Sequence, residues 1–135
     1  VMAVIDAAAA VCELPVMCTL TVESDGSLFF GGNIYDAVET LEQMGADAVG
    51  INCSTGPDQL VSVVKNIREK VSIPVIVKPN AGMPVIDEKG NPVYSMGAEE
   101  FAEHMKVLTE AGADIVGGCC GTTPEYIRKL ADILK

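Results

Sequence analysis

A gapless internal repeat places the strongest constraint on how this chain can fold. Residues 41–53 (LEQMGADAVGINC) align with residues 108–120 (LTEAGADIVGGCC), and seven of the thirteen positions are identical. Each copy contains the end of an amphipathic helix, a Gly-Ala-Asp turn and an apolar strand, so each predicts a helix-to-strand unit. The repeat also places Cys53 and Cys120 at equivalent strand ends.

The rest of the chain continues this alternation of strands and helices. Apolar strands are predicted at 16–22, 48–51, 75–78 and 115–118, with helices at about 1–13, 34–44, 57–70 and 98–111 and after Pro124, and a long loop at 79–96. Uninterrupted apolar strands need cover on both faces, which is typical of parallel strands flanked by helices. The prediction is therefore an α/β chain of four parallel βα units preceded by a helix. This arrangement fits half of a TIM (β/α)8 barrel, with a small flavodoxin-like sheet as the alternative.

Composition and charge narrow the function classes. The 135 residues are 49% hydrophobic and carry a formal net charge of -10, which argues against nucleic-acid binding and against docking on anionic membranes. The apolar runs are also shorter than the roughly 20 residues that a membrane-spanning helix needs. Five cysteines at positions unlike a disulfide framework favour a reducing, cytoplasmic setting.

Three of the cysteines lie where predicted strands end. Cys53, Cys119 and Cys120 fall on the side of the fold that carries active sites in barrels. Three thiolates that meet there predict a zinc site with a fourth position open. Such a centre keeps a bound substrate sulfur electron-rich, so the pattern favours alkylation of a thiol. The alternative is that all three are small core residues.

Three sequence runs carry a resemblance to a known family. GINC at 50–53, VKPNAGMPV at 77–85 and GGCCGTTPE at 117–125 closely resemble the homocysteine S-methyltransferase family, and within it the homocysteine-binding barrel of the cobalamin-dependent methionine synthases. The resemblance extends over essentially the whole chain, from the helix after the fourth barrel strand to the helix after the eighth. It implies that residues 1–135 form the C-terminal half of a homocysteine-binding barrel, a partial domain and therefore a fragment.

The resemblance also implies roles for individual residues. Cys53, Cys119 and Cys120 match the zinc ligands, with the homocysteine sulfur as the fourth ligand, and no catalytic residue is expected beyond the zinc site. Asn80 is expected at the same mouth as a spare metal ligand, and Asn52 as a group that binds substrate or orients a thiolate. For either asparagine, a purely structural role in hydrogen bonding within the loops is an equally good interpretation.

Three further residues near the strand ends receive simpler interpretations. Glu23 follows the first predicted strand and is placed to reach the mouth of the barrel. Thr122 and Thr123 precede Pro124, so they are expected to cap the terminal helix.

The implied activity is zinc-dependent transfer of a methyl group to the homocysteine thiol, giving methionine. The expected donor is methylcobalamin, with methylcobalamin and methyltetrahydrofolate held by domains outside this chain; betaine or S-methylmethionine is the alternative donor.

Half a barrel leaves strand edges open, and open edges favour pairing between copies of the chain. The fragment alone is therefore expected to be inactive. A self-associating half-barrel that at most binds zinc is the second hypothesis, and an unrelated α/β domain with core cysteines is the third.

Overall fold

Four parallel strands in one sheet form the centre of the molecule. The computed structural model describes residues 1–135, with α1 (Met2–Val11), β1 (Met17–Leu20), α2 (Ile34–Gln43), β2 (Ala48–Cys53), α3 (Val61–Lys70), β3 (Val75–Pro79), β4 (Pro84–Ile86), β5 (Pro92–Tyr94), α4 (Ala98–Glu110), β6 (Ile115–Val116) and α5 (Pro124–Ile133). The sheet order is β1-β2-β3-β6, and each neighbouring pair is parallel. The predicted α/β class with a parallel sheet is confirmed.

The hydrophobic core lies between the helices and one face of the sheet. Val49, Ile51, Val75 and Val77 alternate along the two central strands, and each is fully buried in that core. Because neighbouring strands are parallel and in register, their carboxyl ends meet at one edge of the sheet, where Cys53 is the partner of Pro79. That edge carries the residues discussed below.

Amphipathic spacing explains the helices that cover this face. In α4, Phe101, Met105 and Leu108 recur at intervals of four and three residues, and all three are fully buried. The Phe101 ring packs edge-on against Tyr126 of α5, with ring centroids 5.6 Å apart. None of the helices combines the length and the apolar character needed to cross a membrane.

The Gly-Ala-Asp segment forms the same kind of turn in both copies of the repeat. Gly45 and Gly112 adopt positive φ angles of 93° and 117° directly after a helix, a conformation that favours glycine. The aspartate two residues later then fixes the start of the neighbouring strand: Asp47 accepts a hydrogen bond from Val16 N at 2.7 Å, and Asp114 accepts one from Val75 N at 2.8 Å. The Gly-Ala-Asp turn is therefore a device for stopping a helix and aligning adjacent parallel strands.

The structure differs from the predicted elements in four places. The first and last sheet strands are shorter than predicted, at Met17–Leu20 and Ile115–Val116. A 3-10 turn at Pro57–Gln59 precedes α3, where one continuous helix is predicted. The loop predicted at 79–96 contains the antiparallel hairpin β4–β5. These hairpin strands have three residues each, begin with proline and are largely exposed, so no alternating apolar pattern marks them.

Candidate metal centre

The three strand-end cysteines converge on one point. Their Sγ atoms all lie within 4.8 Å of one another, at 3.6 Å between Cys53 and Cys120 and 3.9 Å between Cys119 and Cys120. These separations are far longer than the roughly 2.05 Å of a disulfide bond, so the sulfurs are free thiols. The other two cysteines lie elsewhere: Cys12 follows α1 in an exposed position, and Cys18 is buried in β1.

The backbone around Cys53 is held in an unusual conformation. Cys53 and Ser54 have φ angles of 60° and 68°, in the left-handed region that non-glycine residues rarely adopt. The Ser54 hydroxyl stabilises this turn, because it accepts a hydrogen bond from Val22 N at 3.0 Å and donates one to the Asn52 carbonyl at 3.1 Å. Strain of this kind costs about 1–3 kcal/mol per residue and is found mainly at functional sites.

Asn80 links the two turns that carry the cysteines. Its side chain is buried, the Nδ2 group donates to the Ser54 carbonyl at 3.1 Å, and Oδ1 accepts from Cys120 N at 3.1 Å. Both ends of the Asn80 amide are thus bonded to the main chain of the two cysteine turns. Oδ1 has two lone pairs, so the bond from Cys120 N leaves one acceptor position on this oxygen.

The other residues singled out in the sequence have different surroundings. Asn52 lies opposite Lys78 in the sheet, half-buried, and its side chain makes no hydrogen bond within the chain. Thr122 does not cap the terminal helix as predicted, since its hydroxyl donates to the Cys119 carbonyl at 2.7 Å. Thr123 occupies the N-cap position of α5 as predicted, but its side chain makes no capping hydrogen bond. The Thr122 hydroxyl therefore stabilises the turn after the cysteine pair and not the start of α5.

A cavity of about 300 Å³ opens beside Cys53. Glu23 and Ser24 contribute to its wall from the β1–α2 loop, Thr55 from the turn after β2, and Met83 from the start of the hairpin. Glu23 and Cys53 therefore line the same cavity, which carries an acidic residue and a thiol-bearing residue.

Cys53 and Cys120 differ in acidity. Burial, together with hydrogen bonds to Cys119 and Cys120, raises the pKa of Cys53 to about 11. Hydrogen bonds from Cys53 and Cys119 lower the pKa of Cys120, which lies nearer the surface. Cys120 therefore ionises before Cys53.

The donor set itself indicates which group would fit. Three sulfur atoms converge with no histidine or carboxylate among them, and soft thiolate ligands favour zinc over the hard cations magnesium and calcium. Three protein ligands also leave one tetrahedral position for water or substrate. The residues present fit a zinc ion of the open type.

Sequence reasoning finds the cysteines and Asn80 but misses Ser54 and Tyr94. Ser54 follows a ligand candidate directly, and nothing in its residue type signals a left-handed turn. Tyr94 lies on the unpredicted hairpin and packs on Gly121. The glycine after the cysteine pair was the one available signal, since a positive φ there favours glycine.

Comparisons with known proteins agree with this geometry. The family model for homocysteine S-methyltransferase matches residues 1–134. Methionine synthase of Mycobacterium leprae (strain TN) is 40% identical over 120 residues, which cover 88% of this chain and 10% of that protein. Homocysteine S-methyltransferase 4 of Zea mays is 36% identical over 88 residues, which cover 63% of this chain and 25% of that protein.

A solved structure shows the same fold. The metallated form of the homocysteine methyltransferase MmuM from Escherichia coli superposes with a TM-score of 0.75 and 24% identity, over 98% of this chain and 40% of that chain. The chain thus spans about a tenth of the mycobacterial relative and less than half of this structure. The family match over nearly every residue shows that the chain belongs to the homocysteine S-methyltransferase family.

Proposed function

We propose that Cys53, Cys119 and Cys120 hold a zinc ion and that this chain supplies the metal-binding half of a barrel that methylates homocysteine to methionine. The observation that carries the proposal is the approach of three thiol sulfurs to within 4.8 Å, at the carboxyl edge of a parallel sheet. Active sites of barrels lie at this edge.

Cys53, Cys119 and Cys120 would hold the zinc ion, which would lower the pKa of a substrate thiol while the three thiolates kept that sulfur electron-rich. The chain's own residues prepare this site. Cys120 loses its proton before Cys53, because hydrogen bonds from its neighbours lower the pKa of Cys120 while burial raises that of Cys53. The strained turn at Cys53 and the Asn80 amide fix the main chain on both sides of the cluster. In the overall reaction the substrate S–H bond breaks and a proton is released. The bond between the methyl group and its donor also breaks, its electron pair stays with the donor, and the sulfur electron pair forms the new S–CH3 bond.

The cavity beside Cys53 supplies a place for the rest of the substrate. Glu23 in its wall offers a negative charge to an ammonium group. Asn52 lies outside the lining of this cavity, next to Cys53 in β2, and its side-chain amide has no hydrogen-bond partner in the chain. A substrate whose sulfur reaches the cysteine cluster places its amino acid group within this cavity. These two side chains are the proposed substrate-binding groups of the chain.

The sheet supports assignment as half of a barrel. It ends at β1 on one side and β6 on the other, and Met17 of β1 is 64% exposed although it lies in a strand. A further four βα units would cover these edges.

Methylcobalamin is the proposed methyl donor, since the resemblance of 77–85 is to the cobalamin-dependent branch of the family. Methylcobalamin and folate would be held by other domains of a longer protein.

The open edges also favour a second candidate function. A half-barrel with exposed Val1, Met2, Val4 and Met17 has an apolar margin that a second copy of the chain can cover. In that case the 135-residue chain self-associates, at most binds zinc and has no methyltransferase activity.

The experiment compares methyl transfer to homocysteine by the full-length protein and by the 135-residue chain. Methylcobalamin, betaine and S-methylmethionine are supplied in separate reactions. We expect activity with methylcobalamin in the full-length protein, loss of activity in Cys120→Ser, and full activity in the control Cys12→Ser, whose thiol is exposed and remote. Full activity of Cys120→Ser refutes the proposal, and activity of the short chain alone refutes its assignment as half of a site.

A further inference from the structure

The ring of Tyr94 lies directly on the main chain that follows Cys120. A Cβ atom built on Gly121 would come within 2.3 Å of Tyr94 Cγ and 2.5 Å of Cδ2, so only glycine leaves room for the ring. Gly121 also has a φ of 81°, which side chains rarely permit. Two features therefore favour glycine at position 121: its positive φ, and the absence of a side chain that would collide with the Tyr94 ring.

The hairpin that carries Tyr94 is tied to the same turn at both of its ends. Before the hairpin, Ala81 N donates to the Cys120 carbonyl at 2.9 Å. After it, Met96 N donates to the Ala81 carbonyl at 3.2 Å, and the Tyr126 hydroxyl donates to the Met96 carbonyl at 2.7 Å. These bonds fix the base of the hairpin beside Cys120 and hold the Tyr94 ring over Gly121.

The turn that carries Cys120 is rich in glycine. The strand before it, β6, contains only two residues, and Gly117, Gly118 and Gly121 surround the cysteine pair. Glycine gives the main chain more freedom than any other residue. Hydrogen bonds hold the preceding residue, because Cys119 N donates to the Pro79 carbonyl at 2.8 Å and the Thr122 hydroxyl donates to the Cys119 carbonyl at 2.7 Å. Cys120 itself is bonded to Asn80 and Ala81, and the Tyr94 ring adds a contact on the residue that follows it.

We propose that Tyr94 is a positioning residue of the cysteine cluster: its ring closes over Gly121 and fixes the direction in which the Cys120 sulfur points. The proposal rests on the metal centre described under the proposed function. Tyr94 touches neither substrate nor metal in this role. It acts through Cys120, and the contact that matters is the ring, not the hydroxyl alone.

The test uses Co²⁺ as the probe, titrated into the 135-residue chain at one fixed pH while the sulfur-to-cobalt charge-transfer band is recorded. We expect Tyr94→Ala to lower the Co²⁺ affinity by at least about tenfold and to change the band, as removal of a group that orients a ligand typically does. Tyr94→Phe keeps the ring and is expected to restore most of the affinity.

Tyr35→Ala is the control, because Tyr35 also packs over a glycine of positive φ, with its hydroxyl end against Gly26, and neither residue is a sequence neighbour of Cys53, Cys119 or Cys120. We expect its Co²⁺ affinity and band to equal those of the unmodified chain. Thermal melts of all variants separate a loss of folding from a loss of positioning. Equal Co²⁺ affinity in Tyr94→Ala and the unmodified chain overturns the proposal.

A second measurement, made without metal, separates the failure of this proposal from the failure of the metal centre. The alkylation of Cys120 relative to Cys53 by iodoacetamide is mapped on peptides from the metal-free chain. We expect Tyr94→Ala to raise this ratio several-fold and Tyr94→Phe to leave it unchanged. If the unmodified chain binds no Co²⁺, the metal centre is refuted, and an unchanged ratio in Tyr94→Ala then also refutes the role of Tyr94.

Discussion

Replacement of Asn80 by alanine is expected to loosen both cysteine turns at once. The Asn80 side chain is 94% buried and forms two hydrogen bonds to main chain, one to the Ser54 carbonyl and one from Cys120 N. Asn80→Ala removes both partners without supplying new ones. The Ser54 carbonyl and the Cys120 amide then lose the groups that compensate for their partial burial.

The size of the effect follows from these two bonds. An unsatisfied buried polar group costs about 1–3 kcal/mol. Both bonds are only partly buried, so water can replace some of what is lost and the lower end of that range applies to each. We therefore expect the free energy of unfolding to fall by about 2 kcal/mol. We expect zinc affinity to fall as well, because the positions of Cys53 and Cys120 are no longer coupled.

Urea denaturation followed by circular dichroism measures the stability change, and competition with a chromophoric chelator measures zinc affinity. Asn66→Ala is the control, because Asn66 is exposed on α3 and makes no side-chain hydrogen bond. Asn80→Asp separates the two bonds, since it keeps an acceptor for Cys120 N but turns an oxygen toward the Ser54 carbonyl. A stability of Asn80→Ala within about 0.5 kcal/mol of the unmodified chain, the usual range for surface substitutions, refutes the reasoning.

Three further changes test other parts of the fold. Gly50→Ala places a Cβ atom 1.9 Å from the Ile76 carbonyl oxygen and should lower the free energy of unfolding by about 3 kcal/mol, whereas a near-unchanged urea midpoint contradicts this close approach. Thr55→Val removes a buried hydroxyl that has no hydrogen-bond partner, so thermal melts should show a gain of about 1 kcal/mol, and a loss contradicts it. Hydrogen bonds from Ser72 lower the pKa of Glu42 below its ordinary 4.5. The ionised Glu42 carboxylate therefore stabilises the folded chain above pH 4.5, and this contribution is lost as the pH falls through the lowered pKa. Glu42→Gln should therefore lose less stability than the unmodified chain between pH 5 and pH 3, and identical acid denaturation curves contradict that expectation.

The sheet and most helices were predictable because their signals are local and periodic. The apolar runs of β2 and β3 and the spacing of Phe101, Met105 and Leu108 each correspond to the element observed. The repeat predicted that Cys53 and Cys120 occupy equivalent strand ends. Cys53 is the last residue of β2, whereas Cys120 lies in the turn beyond β6, yet their sulfurs are 3.6 Å apart. Because the strands are parallel, residues that follow them along the chain lie at the same edge of the sheet. The meeting of these cysteines could therefore be inferred from the sequence.

The remaining features depend on contacts that no local pattern encodes. The strained φ angles at Cys53 and Ser54 result from hydrogen bonds to residues far away in the sequence, such as Val22. The hairpin strands are three residues long, so the position of Tyr94 over Gly121 appears only when the chain is folded. Thr122 has the residue type of a helix cap, but it lies one residue before the N-cap position of α5, and its hydroxyl donates to the Cys119 carbonyl in the folded turn.

The zinc content of the purified 135-residue chain is the most direct test of the central claim. Native mass spectrometry after exposure to one equivalent of zinc should show about one ion per chain. That ion should be lost in Cys53→Ser, Cys119→Ser and Cys120→Ser, because each removes one of three converging sulfurs, and retained in Cys12→Ser. A chain that stays free of zinc, or a Cys120→Ser variant that binds zinc as tightly as the unmodified chain, would contradict the assignment of these cysteines as a metal centre.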